Sequence, residues 1–160
     1  MIGAQGPSAR EFLLSHHIPA RYDRTLSLCI GTRRLHLCAR CSGQLLGGLA
    51  FVVLFFTIPE FRTQMFTPPY QLLIGIGPLG ATVDWLTQSV GQRKSRNPVR
   101  VLTGALLGFT FVDALSLILT ERWLDVIAAG IIFFAYALAI VAVLVRSNAI
   151  EAVVAEHFPR

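Results

Sequence analysis

Residues 38–58 read C-A-R-C-S-G-Q-L-L-G-G-L-A-F-V-V-L-F-F-T-I. A pair of cysteines two residues apart runs without a linker into an apolar stretch, 42–58, close to the ~20 residues a helix needs to cross a hydrocarbon core. Further apolar stretches occupy 70–90, 99–119 and 124–145. Composition agrees: 54% of the residues are hydrophobic, 14% are charged and the mean hydropathy is +0.61, values that exclude an ordinary soluble domain. These runs predict an all-α fold, an integral membrane four-helix bundle forming a single domain over 1–160. Residues 1–41 form a cytoplasmic metal-binding segment ahead of it and 146–160 a cytoplasmic tail behind it.

The boundaries have local causes. Ser42 is the expected N-cap of the first helix and Pro59 its stop, Pro68 and Pro69 introduce the second, and a basic loop from Gly91 to Pro98 leads to the third. The turn from Thr120 to Trp123 is so short that the last two helices must be antiparallel neighbours. A shorter count treats the first run, which carries Gln44, as a re-entrant segment and leaves three spans. That count is disfavoured because it puts the N-terminal arginines and the Arg93 to Arg100 loop on opposite sides.

The net charge of +5 rests on arginine, since Lys94 is the single lysine. Arg10, Arg21, Arg24, Arg33, Arg34 and Arg40 precede the first span. Arg93, Lys94, Arg96 and Arg100 flank the basic loop, and Arg146 and Arg160 follow the last span. Against these, Arg62 and Arg122 stand alone on the other side, so the positive-inside pattern predicts both termini in the cytoplasm of a prokaryotic inner membrane. The basic residues lie in short pieces between apolar runs and form no nucleic-acid motif, so lipid headgroups rather than nucleic acid are the expected partners. The polar, Arg-rich first forty residues lack the apolar core of a secretory leader, and no cleaved segment is expected.

Two constellations carry chemistry. Cys38 and Cys41 form a C-x2-C pair, Cys29 precedes them, and His16 or His17 completes a Cys3His set for tetrahedral zinc rather than iron, with Arg33, Arg34 and Arg40 offsetting thiolate charge. A reducing cytoplasm argues against disulfides among these thiols. A redox-active Cys38 and Cys41 pair and unligated thiols are the other readings. His36 reads as a solvated or loop-packing residue and His157 as a surface residue of an amphipathic tail with Ile150, Val153 and Val154.

The second constellation is a polar face. Gly77, Gly80, Ala81, Asp84, Thr87 and Gln88 recur at helical spacing, and Pro78 removes a backbone donor and predicts a kink. A carboxylate in hydrocarbon costs about 2.5–3.5 kcal/mol on insertion scales, so Asp84 requires a partner, for which Arg93, Arg96 and Arg100 are the candidates. Arg93, Ser95, Asn97 and Arg100 surround the start of the third helix, where backbone amides favour an anion such as a phosphate, or the Asp84 carboxylate itself. Gly104 and Gly108 form a G-x3-G contact motif. Thr103, Thr110 and Asp113 form another stripe of that helix, and Asp113 is expected to pair across the bundle or to snorkel. In the last helix Ala128, Ala135, Ala139 and Ala142 make a small-residue seam, with Phe133 and Phe134 outward.

These motifs resemble an uncharacterised family of small prokaryotic membrane proteins, domain of unknown function 2085. The resemblance rests on His16, His17 and Pro19; on Cys38, Ala39, Arg40, Cys41, Ser42 and Gly43; on Asp84, Thr87 and Gln88; on Arg93, Ser95 and Asn97; and on Arg100, Thr103 and Gly104. It covers about residues 15–108. Some relatives have a cysteine directly before the first histidine where this chain has Ser15, so Cys29 would supply the third thiolate, and the pattern favours His16 as the imidazole. The family brings no established activity.

The expected function is that of an accessory or scaffold subunit of a larger membrane protein complex, held by a structural zinc site. The alternatives are a membrane enzyme or carrier for a phosphorylated lipid or other anion, using Asp84, Arg93 and Arg100, and a thiol redox protein acting through Cys38 and Cys41.

Overall fold

The computed structural model describes residue 15 and residues 23–31, 33–91 and 93–150. His16, His17 and the tail beyond residue 150, with Val153, Val154 and His157, lie outside the described residues.

A two-stranded antiparallel hairpin opens the described chain, with β1 at Thr25–Ile30 and β2 at Arg33–Cys38. It was not foreseen as a strand pair. Alternation of leucine with polar residues through both segments is its sequence signature, and Gly31, at φ 60°, occupies the left-handed conformation that a tight hairpin turn demands. Helix α1, Ala39–Thr57, follows β2 directly. The expected cap at Ser42 is thus four residues late: Cys38 is the cap position, with no side-chain capping bond, and Ser42 lies inside the first turn. A short helix α2 spans Pro59–Gln64, then α3 Pro68–Gly91, α4 Asn97–Leu119 and α5 Trp123–Arg146.

α1, α4 and α5 are each long and apolar enough to cross a membrane. α3 matches them in length, but its prolines, glycines and Asp84 keep it outside that group.

α1 and α4 form the tightest pairing. A Cβ on Gly43 or Gly47 would fall far inside contact distance of the Val101 or Ala105 carbonyl, and one on Gly104 or Gly108 would strike the Arg40 or Gln44 carbonyl. Glycine is required at all of these positions because backbone meets backbone. The order of the pairs is informative: Arg40 meets Gly104 and Gln44 meets Gly108, so residue numbers rise together and the helices run parallel. The G-x3-G of α4 was legible; its counterpart, Gly43 and Gly47 on α1, is what it packs against.

α3 runs against α4, since Gly77 abuts Thr110 and Leu106 while Gly80 faces Thr103. The Thr110 hydroxyl donates to the Leu106 carbonyl at 2.8 Å and reaches the Leu73 carbonyl at 3.4 Å. Pro78 stays within the helix, and the Tyr136 hydroxyl of α5 donates to the nearby Gly75 carbonyl. α5 seats Ala129, Val126 and Phe133 against Ile74 and Leu117. The expected alanine seam is wrong: Ala128, Ala135, Ala139 and Ala142 are exposed, and the packed stripe lies on the neighbouring face, with Phe133 inward and only Phe134 outward. Near the end of α1, Phe51 packs edge-on to Phe109 and Phe61, with ring centroids 5.1 and 5.5 Å away.

Gly47→Val and Gly108→Val should each force α1 from α4 and destabilise the protein by about 1–3 kcal/mol or more, as overpacking does. Gly130→Ala, which meets nothing within 4 Å, should leave the thermal midpoint in mild detergent within about a degree of wild type.

Candidate functional site

Asp84, on the last turns of α3, is 3% exposed and gathers donors from two helices and a loop. Arg40 of α1 places an Nη2 2.7 Å from Oδ2, Gln88 Nε2 donates to the same oxygen at 2.8 Å, and Arg93 Nη2 approaches Oδ1 at 3.2 Å. Gln88 lies one turn beyond Asp84, so its amide can bond both the Asp84 carboxylate and the Asp84 carbonyl, the latter at 2.7 Å. Its Oε1 accepts from Arg100 Nη2 at 2.7 Å, which draws the start of α4 into the same network.

Of the partners expected for Asp84, only Arg93 contacts it directly. Arg100 acts through Gln88, and Arg96 is exposed. The nearest cation, Arg40, was assigned from the sequence to neutralising thiolates. Its bond to Asp84 follows from the parallel α1 and α4 pairing, which brings the first turn of α1 beside Gly104 and hence beside α3.

The other expected residues divide. Thr87 donates to the Val83 carbonyl at 2.8 Å and accepts from Arg93 at 3.3 Å, and Ser95 lies beside the carboxylate. Asn97 Nδ2 donates instead to the Thr25 carbonyl at 3.0 Å, tying the hairpin to α4. Thr103 is buried, donates to the Val99 carbonyl at 2.9 Å and turns its methyl toward Gly80, so it packs beneath the cluster without joining it. Asp113 is buried nearer the other end of α4, and its Oδ1 has no partner among the described residues, contrary to the expected pairing across the bundle.

Among the described residues, charge is unbalanced at this end of the bundle. Arg40, Arg93 and Arg100 surround the single Asp84 carboxylate, while Asp23 and Arg24, also close to Arg100, offset each other. Arg100 is only 5% exposed, and the Nε atoms of Arg100 and Arg40 are buried without a hydrogen-bond partner among the described residues. A buried donor without an acceptor forfeits about 1–3 kcal/mol, more when charged. A phosphate or carboxylate supplies the acceptor oxygens and the negative charge that this arrangement lacks.

The cysteines also divide. Cys38 and Cys41 stand together, with their thiols close enough to interact. Cys29 does not join them: the register pairs Cys38 with Thr25 and Cys29 with Arg34, so Cys29 is four residues along β1, about 13 Å at the rise of a strand. No three His, Cys, Asp or Glu residues among those described could hold one metal ion. His36 is a half-buried residue of β2 rather than of a loop, with its Nδ1 3.3 Å from Thr25 Oγ1 and 3.2 Å from Ser27 Oγ on the facing strand.

Comparison with known proteins follows the same segment. A family model described as a predicted membrane protein, DUF2085, matches residues 20–113, from shortly before the hairpin into the second half of α4. An uncharacterized protein of Methanocaldococcus jannaschii is 32% identical over 100 residues, 62% of this chain and 60% of that protein, so the match spans less than two thirds of the relative. No solved structure matches.

Asp84→Asn should leave Arg40 and Arg93 without their counter-ion. Breaking a buried pair costs about 3–5 kcal/mol; the lower end applies here, because the side chains of Arg40 and Arg93 are 27% and 58% exposed. Arg93→Ala should cost less than about 1 kcal/mol. Unfolding in detergent, read by circular dichroism, checks both.

Proposed function

This chain belongs to the DUF2085 family of predicted membrane proteins, and on that footing we propose that it is a four-span protein of the prokaryotic cytoplasmic membrane whose arginine-rich end binds a phosphate-bearing anion beside Asp84. The parallel course of α1 and α4 supports α3 as the fourth crossing, since the chain must return along the bundle between them. The distribution of arginine supports a cytoplasmic position for both termini and for the cluster.

The observation that carries the anion reading is the pair of buried, unpartnered guanidinium Nε groups of Arg40 and Arg100 in a cluster with more cations than carboxylates. Guanidinium forks match phosphate oxygens, and the first turn of α4 adds backbone amides to the same site. Binding is favoured over catalysis because Arg40, Gln88 and Arg93 already occupy both oxygens of Asp84, which makes it a counter-ion that positions arginines rather than a free base. Lipid accounts for the exposed apolar face of α5, so the accessory-subunit role draws no support from it.

Binding of radiolabelled inorganic phosphate, and of phosphatidic acid presented in mixed micelles, tests the reading. Losing one charged hydrogen-bond donor at about 1.5–3 kcal/mol predicts that Arg100→Gln weakens binding roughly 10- to 100-fold. Wild-type affinity in that variant, or absence of binding by the native protein to either probe, overturns it.

A second reading is favoured by the contact between the Cys38 and Cys41 thiols. Zinc held by this pair, with His16 and His17 as the remaining ligands, keeps the metal assignment while releasing Cys29 from it. Metal analysis of purified protein should then find zinc lost in Cys38→Ser and Cys41→Ser and retained in Cys29→Ser; loss in all of the variants would restore Cys29 as a ligand.

A further inference from the structure

The hairpin offers a surface that neither the Asp84 cluster nor the thiol pair uses. Leu26 pairs with Leu37 and Leu28 with Leu35. Side chains of a strand alternate between faces, so these leucines share one face and Thr25, Ser27, Cys29, His36 and Cys38 share the other. On the polar face Thr25 and Ser27 bond His36 across the strands, the Thr25 backbone is fastened to Asn97 at the end next to α1, and Ser27 and Cys29 are exposed. The leucine face is open: Leu28 is 49% exposed, and Leu26, Leu35 and Leu37 are half-buried.

What covers that face follows from where the hairpin is attached. β2 ends at Cys38 and α1, a helix long and apolar enough to cross the membrane, begins at Ala39, so no linker lets the hairpin stand away from the bilayer surface. A lone two-stranded hairpin is marginal in water and gains stability when its apolar face is covered. The sequence also places Arg33 and Arg34 directly after the turn, two cations of the sign that anionic headgroups attract.

We propose that the Leu26, Leu28, Leu35 and Leu37 face of the hairpin is seated in the lipid leaflet that α1 enters, as an interfacial anchor that turns the polar face of Ser27 and Cys29 away from lipid. The proposal requires no anion at Asp84 and no metal at the cysteines, so it stands or falls separately from them.

Depth-dependent quenching in reconstituted vesicles of phosphatidylcholine and phosphatidylglycerol tests it. Leu28→Trp and Ser27→Trp, adjacent residues on opposite faces, are each placed in a Trp85→Phe, Trp123→Phe background. The Leu28→Trp protein should be quenched severalfold more by lipids brominated on the acyl chain than by aqueous acrylamide, and the Ser27→Trp protein should show the reverse. Leu35→Trp against Cys29→Trp repeats the contrast should a substitution disturb one of the proteins. Equal acrylamide quenching of Leu28→Trp and Ser27→Trp overturns the proposal. Protection of Leu28→Trp from both quenchers also overturns it, by assigning the face to protein contact.

Discussion

The bond between Arg40 and Asp84 is the constraint around which the described structure closes. It joins the first turn of α1 to the last turns of α3, and Arg93 and the Gln88 to Arg100 bond extend it to the basic loop and to α4. A carboxylate carried on an otherwise apolar helix is costly without such partners, so the position of α3 is set by where three arginines can meet one acid. Charge therefore specifies the arrangement of helices whose greasy surfaces would otherwise pack in several ways.

Glycine makes that bond possible. Gly43 and Gly47 against Gly104 and Gly108 bring the α1 and α4 backbones into contact, and this closeness puts the Arg40 side chain within reach of α3. The energetics are unlike those of a soluble core: few side chains are fully buried, large apolar residues such as Phe56, Leu119 and Leu124 face outward, and cohesion comes from backbone proximity and polar bonds. Hydrocarbon supplies no drive to bury leucine, which leaves small residues and hydrogen bonds to decide the contacts.

Much of this was legible in the sequence, and the failures have causes. The long helices were readable from apolar runs bounded by proline, and the departures at their ends are a residue or two except at α1, where the serine cap lost to a strand running straight into the helix. Asp84, Gln88, Arg93 and Arg100 were marked as one network, since helical spacing brings them to one end of α3 and α4. Arg40 was missed as the principal partner because a contact between residues 44 positions apart depends on helix pairing, which no local pattern encodes. Cys29 was grouped with Cys38 on separation in sequence alone; the hairpin register, which sends one to each end of the strand pair, was hidden until the strands were seen. The alanines of α5 failed for a related reason, since small residues mark a helix that can pack closely and do not say that it does.

The parallel course of α1 and α4 bears on how the protein is made. Helices leave the ribosome in chain order, yet the partner α1 fits most closely arrives only after α2, α3 and the basic loop have been synthesised. Until then its glycine face meets lipid or the insertion machinery, and of the arginines that bond Asp84 or its Gln88 neighbour, Arg40 alone precedes the acid in the chain. Synthesis thus delivers the acid's first cation before the acid and its last after it, an order that shields the charge at each stage and delays locking of the bundle until the penultimate helix is laid down.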